Sequence, residues 1–117
     1  MPKSERLRKS RDFTRIFEHG KSLPGSRVVV YYLENGLSFN RVGIAVSRRL
    51  GGAVERNRLK RVVKEAYRAS EAALRQGLDL VLLPRSKAKT ASFQEVKDEL
   101  LWILSECGAL RKGDEEK

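Results

Sequence analysis

Between residues 56 and 64 the chain sets Arg56, Arg58, Lys60, Arg61 and Lys64 around a single amide, Asn57, with Gly51 and Gly52 just upstream. Cationic groups this close repel one another, and the partner that relieves such a density is a phosphate backbone. The chemistry on offer is therefore binding. A helix turns by roughly 100° per residue, which gathers Leu59, Val62, Val63, Ala66 and Ala73 on one arc and Asn57, Lys60, Arg61, Lys64 and Arg68 on the other. Solvated helix faces normally interleave acids at i and i+4; here only Glu55 and Glu65 are near. The pattern predicts contact with nucleic acid. Asn57 has two readings: its amide can donate to and accept from RNA, or it can cap the start of the helix. Gly51 and Gly52 permit close approach to a phosphate, and a plain turn explains them equally well.

Phe13, Phe17 and Tyr31 form the second candidate constellation. Phenylalanines at i and i+4 fit a core face, but Arg6, Arg8, Lys9, Arg11 and Arg15 surround them. Aromatics bordering a cationic groove hold single-stranded nucleic acid by stacking.

Side chains able to run a reaction are sparse. His19 is the sole histidine and stands at an expected helix end, where a cation satisfies the last carbonyls. Asp12 and Asp79 are isolated in sequence, the remaining acids gather toward the last helix and tail, and no phosphate-loop pattern occurs. Cys107 is a lone cysteine, better explained as a small buried hydrophobe than as a nucleophile. No metal-ligating set and no protein catalytic residue is expected.

Composition agrees. The 117 residues carry a formal net charge of +10, which points to a polyanion partner. Residues 1–27 hold eight Lys/Arg against three acids and residues 48–68 eight against two, so the remainder is nearly neutral. The length suits one domain over residues 1–117, with a frayed tail from about residue 111. A single cysteine excludes an internal disulfide. The start, MPKSERLRKS, has no apolar signal region and no stretch is long enough to span a bilayer. The expectation is a cytoplasmic protein with no membrane partner and no small-molecule substrate.

The elements that must position these residues follow from periodicity. RDFTRIFEHGKS predicts a short amphipathic helix with Ser10 as cap and Gly20 as stop, and LPGS a turn. RVVVYYLENG predicts a strand with Val28, Val30 and Tyr32 on one face and Val29, Tyr31 and Leu33 on the other. RVGIAVS predicts a second strand whose Gly43, Ala45 and Ser47 face leaves a shallow trough. A helix is expected from about Arg56 to Gln76, ended by Gly77, then a strand in DLVLLPR and a last helix opened by a Ser92/Glu95 capping box. The fold class is α+β: three helices and a small mixed sheet, in the order α-β-β-α-β-α, with two helices on one side.

RVGIAVSRRLGG followed by AVERNRLKRVVKE resembles the signature of the bacterial ribonuclease P protein subunit, and the resemblance extends through RLRKSRDFTRIFEHGKS and DLVLLPR, over about residues 6–104. It implies a protein that binds a catalytic RNA subunit and the 5′ leader of precursor tRNA, helping an endonuclease work at physiological magnesium. The implied Mg2+ is bound mainly by RNA and substrate, with one protein per RNA. By matching position, Arg56, Asn57, Arg58, Lys60, Arg61, Lys64 and Arg68 belong to the surface for the RNA subunit. Phe13, Phe17 and Tyr31 would line the leader cleft, with Ser47, Arg48 and Arg49 at its side. Lys64 stands where the family usually has arginine, losing the planar fork. Val28 replaces a frequent aromatic, which would weaken one stacking platform. The resemblance also implies an additional short strand and a left-handed βαβ crossover, against the right-handed default.

Three rivals remain on sequence. A ribosomal or general RNA-binding protein without a processing role is the strongest. A DNA regulator using residues 56–68 in the major groove lacks a preceding helix-turn unit, and a self-sufficient metal nuclease lacks grouped carboxylates.

Overall fold

Alternating side chains along residues 28–33 decide the layering of the computed structural model, which describes residues 4–111. The elements are β1 (Glu5–Arg6), α1 (Ser10–His19), β2 (Lys21–Pro24), β3 (Val28–Glu34), β4 (Arg41–Ile44), α2 (Ala53–Ser70), β5 (Leu78–Pro84) and α3 (Phe93–Glu106), with short 3-10 turns at Arg48–Leu50, Glu71–Ala73 and Ser86–Thr90. The strands form one mixed sheet in the order β1-β4-β5-β3-β2. β4 and β5 are parallel neighbours joined through α2, while β3 runs antiparallel to both β2 and β5.

Val28 and Val30 of β3 with Leu80 and Leu82 of β5 face α2 and α3, meeting Val63, Ala66, Tyr67, Val96, Leu100, Ile103 and Leu104. Each such fully buried Leu or Ile contributes about 1.5–3 kcal/mol, so the inward stripe of α3 holds that helix to the sheet. On the opposite face Tyr31, Leu33, Val81, Leu83 and Ala45 meet Phe13 and Ile16 of α1 and Leu7. The expected pair of helices on one side is thus α2 with α3, and α1 covers the other. A third, small plug of Leu50, Leu59, Ala88 and Val46 joins the start of α2 to two of the 3-10 turns.

Several expectations shift. Ser10 is the first residue of α1 and not its cap; Lys9 holds the cap position with no side-chain hydrogen bond. The LPGS segment is partly strand, since β2 takes Leu23 and Pro24 before the chain turns at Gly25. The second strand stops at Ile44, although Ala45 still donates to the Leu82 carbonyl at 3.1 Å. α2 begins three residues earlier than expected and ends at Ser70, because residues 74 and 75 leave the helix to pair with residues 109 and 110. Leu74 bridges Leu110, and the Arg75 amide donates to the Ala109 carbonyl at 2.8 Å. The Ser92/Glu95 capping box has both of its bonds. Of the tail expected to fray, residues 112–117 lie outside the described residues.

One ionic network fixes α1 across the sheet. Asp79 of β5 is fully buried and accepts from Arg41 Nε at 2.8 Å, Arg41 Nη2 at 2.7 Å, Arg15 Nη2 at 2.6 Å and Asn35 Nδ2 at 2.9 Å. Burial pushes the Asp79 carboxyl upward, but those hydrogen bonds and the Arg41 and Arg15 charges outweigh it and hold it below the ordinary carboxylate value.

Candidate RNA-binding surface

α2 starts at Ala53 behind Gly52, so Asn57 sits in its second turn and does not cap the helix. Gly51 precedes it with φ of +132°, a conformation that disfavours any residue with a side chain. The inward arc of α2 is Leu59, Val63, Ala66, Tyr67 and Ser70; Tyr67 fills the position that the sequence reading passed over, and Ala73 falls on the 3-10 turn beyond the helix. Once that arc is buried, the rest of the helix has only one orientation open to it. Asn57, Lys60, Arg61, Lys64 and Arg68 are all exposed.

Those five line one wall of a groove of about 840 Å³. The opposite wall is the N-terminal segment, with Ser4, Arg6 and Arg8, and the floor is apolar: Leu7, Phe13, Val42, Gly43 and Ile44, with Tyr67 behind. The segment is latched in place. Ser4 hydrogen-bonds the Tyr67 hydroxyl, the Ser4 amide donates to Glu71 Oε2 at 3.1 Å, and the Leu7 amide to the Val42 carbonyl at 2.9 Å. Burial raises the Tyr67 pKa, only partly offset by the Ser4 bond, so its hydroxyl stays protonated. Among the described residues Asn57, Lys60, Arg61 and Lys64 have no ion-pair or hydrogen-bond partner in the protein, whereas Arg56 and Arg58 donate to the Gly51 and Lys89 carbonyls. A row of unpaired cations above an apolar floor can take phosphates on its rim and a base below.

The aromatic constellation lies round the edge of β4 from this groove. Phe17 and Tyr31 meet edge-to-face with centroids 4.9 Å apart, and Phe17 is 40 % exposed. Such a pair holds its rings in fixed orientation while leaving one open. Phe13 does not stand free beside them: its ring lies over Gly43, where an added Cβ would come within 2.5 Å of Cζ. The trough expected on β4 is therefore occupied at Gly43 by Phe13. Because Phe13 also belongs to the groove lining, cleft and groove meet at this ring.

Ser47, Arg48 and Arg49 are exposed on the turn after β4, where Ser47 Oγ accepts from the Arg49 amide at 3.2 Å. Leu50 of that turn packs on Leu59 of α2 and on Ala88, which ties these residues to the start of α2. Val28 corrects the sequence reading: it is fully buried in the main core and offers no stacking position on the cleft face. In sequence Arg6 and Arg8 are only charge near the aromatics; the parallel pairing of β1 with β4 makes them a wall, a relation that two residues of strand do not announce. Cys107 is half-buried beside Tyr32, and burial raises its thiol pKa, which disfavours the thiolate. Among the described residues no group of three or more His, Cys, Asp or Glu is placed to hold a metal ion, and no helix is long and apolar enough to cross a membrane.

A mixed sheet with helices on both faces, an exposed cationic groove and an adjoining aromatic cleft define a small α+β protein with a strongly basic surface. Residues 1–108 match the family model described as Ribonuclease P. The ribonuclease P protein component of Alkaliphilus oremlandii is 37% identical over 105 residues, covering 90% of this chain and 92% of that protein. The solved ribonuclease P protein of Staphylococcus aureus superposes with a TM-score of 0.81 at 30% identity, covering 93% of this chain and 100% of that one. That of Thermotoga maritima gives 0.78 at 41% identity, over 86% and 94%. The chain belongs to the ribonuclease P protein family, the protein components of a tRNA-processing endoribonuclease that partner the ribonuclease P RNA.

Proposed function

We propose that the α2 groove docks on the catalytic RNA while the cleft of Phe13, Phe17 and Tyr31 holds the 5′ leader of precursor tRNA. The observation that carries this reading is the continuity of the two surfaces at Phe13 and Gly43. A substrate strand stacked on Phe17 then runs within reach of an RNA bound along Lys60, Arg61 and Lys64, bringing leader and catalyst together at one edge of the sheet. Arg56, Asn57, Arg58 and Arg68 extend the docking face, and Ser47, Arg48 and Arg49 flank it. The protein's contribution is binding energy and placement, with bond cleavage carried out by the RNA and magnesium held by RNA and substrate. One protein per RNA suffices, since a single chain carries both surfaces.

The unpaired cations explain why such a protein lowers the magnesium requirement: Lys and Arg at the junction neutralise phosphates that would otherwise need ions. The test is to mix the protein with ribonuclease P RNA and a precursor tRNA at low magnesium and map the 5′ ends. Accurate maturation that needs both components is expected. Cleavage by the protein alone, or no gain from adding it, would overturn the reading in favour of a general RNA-binding role.

A further inference from the structure

Sequence charge counts treat everything beyond residue 68 as nearly neutral, yet folding returns one of its cationic stretches to the start of α2. The Ser86–Thr90 turn follows β5 and is pinned by Ala88, which is buried with Leu50 and Leu59. Arg58 Nη1 donates to the Lys89 carbonyl at 2.9 Å, a bond spanning 31 positions in sequence. Three short elements are thus fastened to one apolar plug: the Arg48–Leu50 turn, the first turns of α2 and the Ser86–Thr90 turn.

The plug sets what faces outward. Ala88 points in, so its neighbours Lys87 and Lys89 must point away from it. Lys87 is exposed and has no partner among the described residues. Lys89 is 4.0 Å from Glu55, a long contact between a partly exposed and a well-exposed side chain that contributes little. Arg85 lies outside the plug, and its Nη1 donates to the Gly25 carbonyl at 3.0 Å. The corner therefore carries Arg48, Arg49, Arg58, Lys87 and Lys89 on elements joined by one apolar cluster and the Arg58–Lys89 hydrogen bond, with Glu55 the nearby acid. Lys87 and Lys89 leave the turn on either side of the buried Ala88, which spreads their charges along the corner as an extended anion requires.

We propose that Lys87 and Lys89 form, with Arg58, a second phosphate-contact strip that engages the backbone of the same RNA that α2 docks on. The strip rests on the reading that α2 binds the ribonuclease P RNA, and it enlarges that footprint from the polar arc of the helix to the corner beyond its start.

The experiment measures affinity for isolated ribonuclease P RNA over a salt series, using wild type, Lys60→Ala and the double variant Lys87→Ala/Lys89→Ala. The double variant is expected to bind roughly five-fold more weakly, with a log–log salt slope shallower by about two. Its thermal midpoint should stay within a degree or so of wild type, because Lys87 is exposed, Lys89 is partly exposed and neither belongs to a core cluster, and Lys87→Arg/Lys89→Arg should keep the wild-type salt slope and bind at least as tightly. Unchanged affinity and slope, beside a clear loss in Lys60→Ala, would overturn the strip while leaving the α2 reading standing. No loss in Lys60→Ala would instead sink the α2 reading itself. A loss confined to precursor tRNA, with RNA-subunit binding intact, would also overturn the strip as proposed, because its anion would be the substrate.

Discussion

Two groups of cations in this molecule use the same side-chain chemistry to opposite ends. Arg15 and Arg41 converge on the buried Asp79, where carboxylate oxygens lie within 2.6–2.8 Å of their nitrogens and Asn35 supplies a further donor. Lys60, Arg61 and Lys64 on α2 converge on nothing the protein provides. The first group is complete within the chain and holds α1 over the sheet; the second is left open at the surface, where the proposed reading puts RNA. A cation's neighbours, and not its type or its count along the chain, separate a structural group from a binding one.

Asp79→Asn should break the comparison most severely. Arg15 would lose its counter-charge and Arg41 would keep only Asp12, 3.6 Å away, at a cost of about 3 kcal/mol, the low end for breaking a buried pair because both arginines still reach water. Urea unfolding should show that loss; a change under about 1 kcal/mol would make the network no more than a surface contact. The same carboxyl, with Glu99, gives the pH dependence. Burial pushes the Glu99 carboxyl up, but the Arg27 and Val28 amides, the Ser26 hydroxyl and the Arg27 side chain bring it below its ordinary value. Groups held low in the folded state contribute stability above the unfolded carboxylate range, near pH 4, and lose it as pH falls through their lowered folded values. Stability should therefore drop on acidification below about pH 4, and Asp79→Asn should flatten that drop.

Removing the second group should leave the fold alone and damage binding. The triple variant Lys60→Ala/Arg61→Ala/Lys64→Ala is expected to unfold at or above the wild-type midpoint, since like-charge repulsion is relieved. Its affinity for ribonuclease P RNA should fall roughly a hundredfold, or about 2.7 kcal/mol, with a salt slope shallower by about three. A stability loss comparable to that of Asp79→Asn would erase the distinction between the groups. Phe17→Ala comes next, at about tenfold, and the loss should fall on leader-bearing precursor while sparing mature tRNA. Equal loss for both would mean that Phe17 serves only to seat α1.

How much of this could be read from the chain differs between the two groups for a physical reason. The α2 surface is local: helical periodicity alone separates Leu59 and Val63 from Lys60, Arg61 and Lys64, and the capping box at Ser92 and Glu95 is equally local. Strand alternation likewise placed Tyr31 and Val30 on opposite faces. The Asp79 network joins residues 15, 35, 41 and 79, and Asp79 in sequence is merely an acid ahead of an apolar run. Register decides it: β4 pairs Arg41 with Asp79 directly. The Lys87/Lys89 corner was hidden in the same way, behind a crossover that returns residue 89 to residue 58. Asn57 was ambiguous because its two roles need the same side chain, and only the position of the helix start separates them.

The smallest expected effect tests whether the open group is a tuned binding surface or only a dense one. Lys64 lies in the middle of the exposed row, and its ammonium meets a phosphate as a point charge, without the paired donors of a guanidinium. If phosphates sit at fixed places along the groove, Lys64→Arg gains a bidentate contact and should tighten RNA binding by roughly two- to threefold at an unchanged salt slope, because the number of charges is the same. If the row acts as diffuse positive charge, the variant binds like wild type. The equivalent exchange in the closed group, Arg41→Lys, removes one of two hydrogen bonds to Asp79 and should lower stability. A gain on α2 beside a loss at Asp79 would show that both groups are read by geometry; no change on α2 would restrict that conclusion to the network the protein completes by itself.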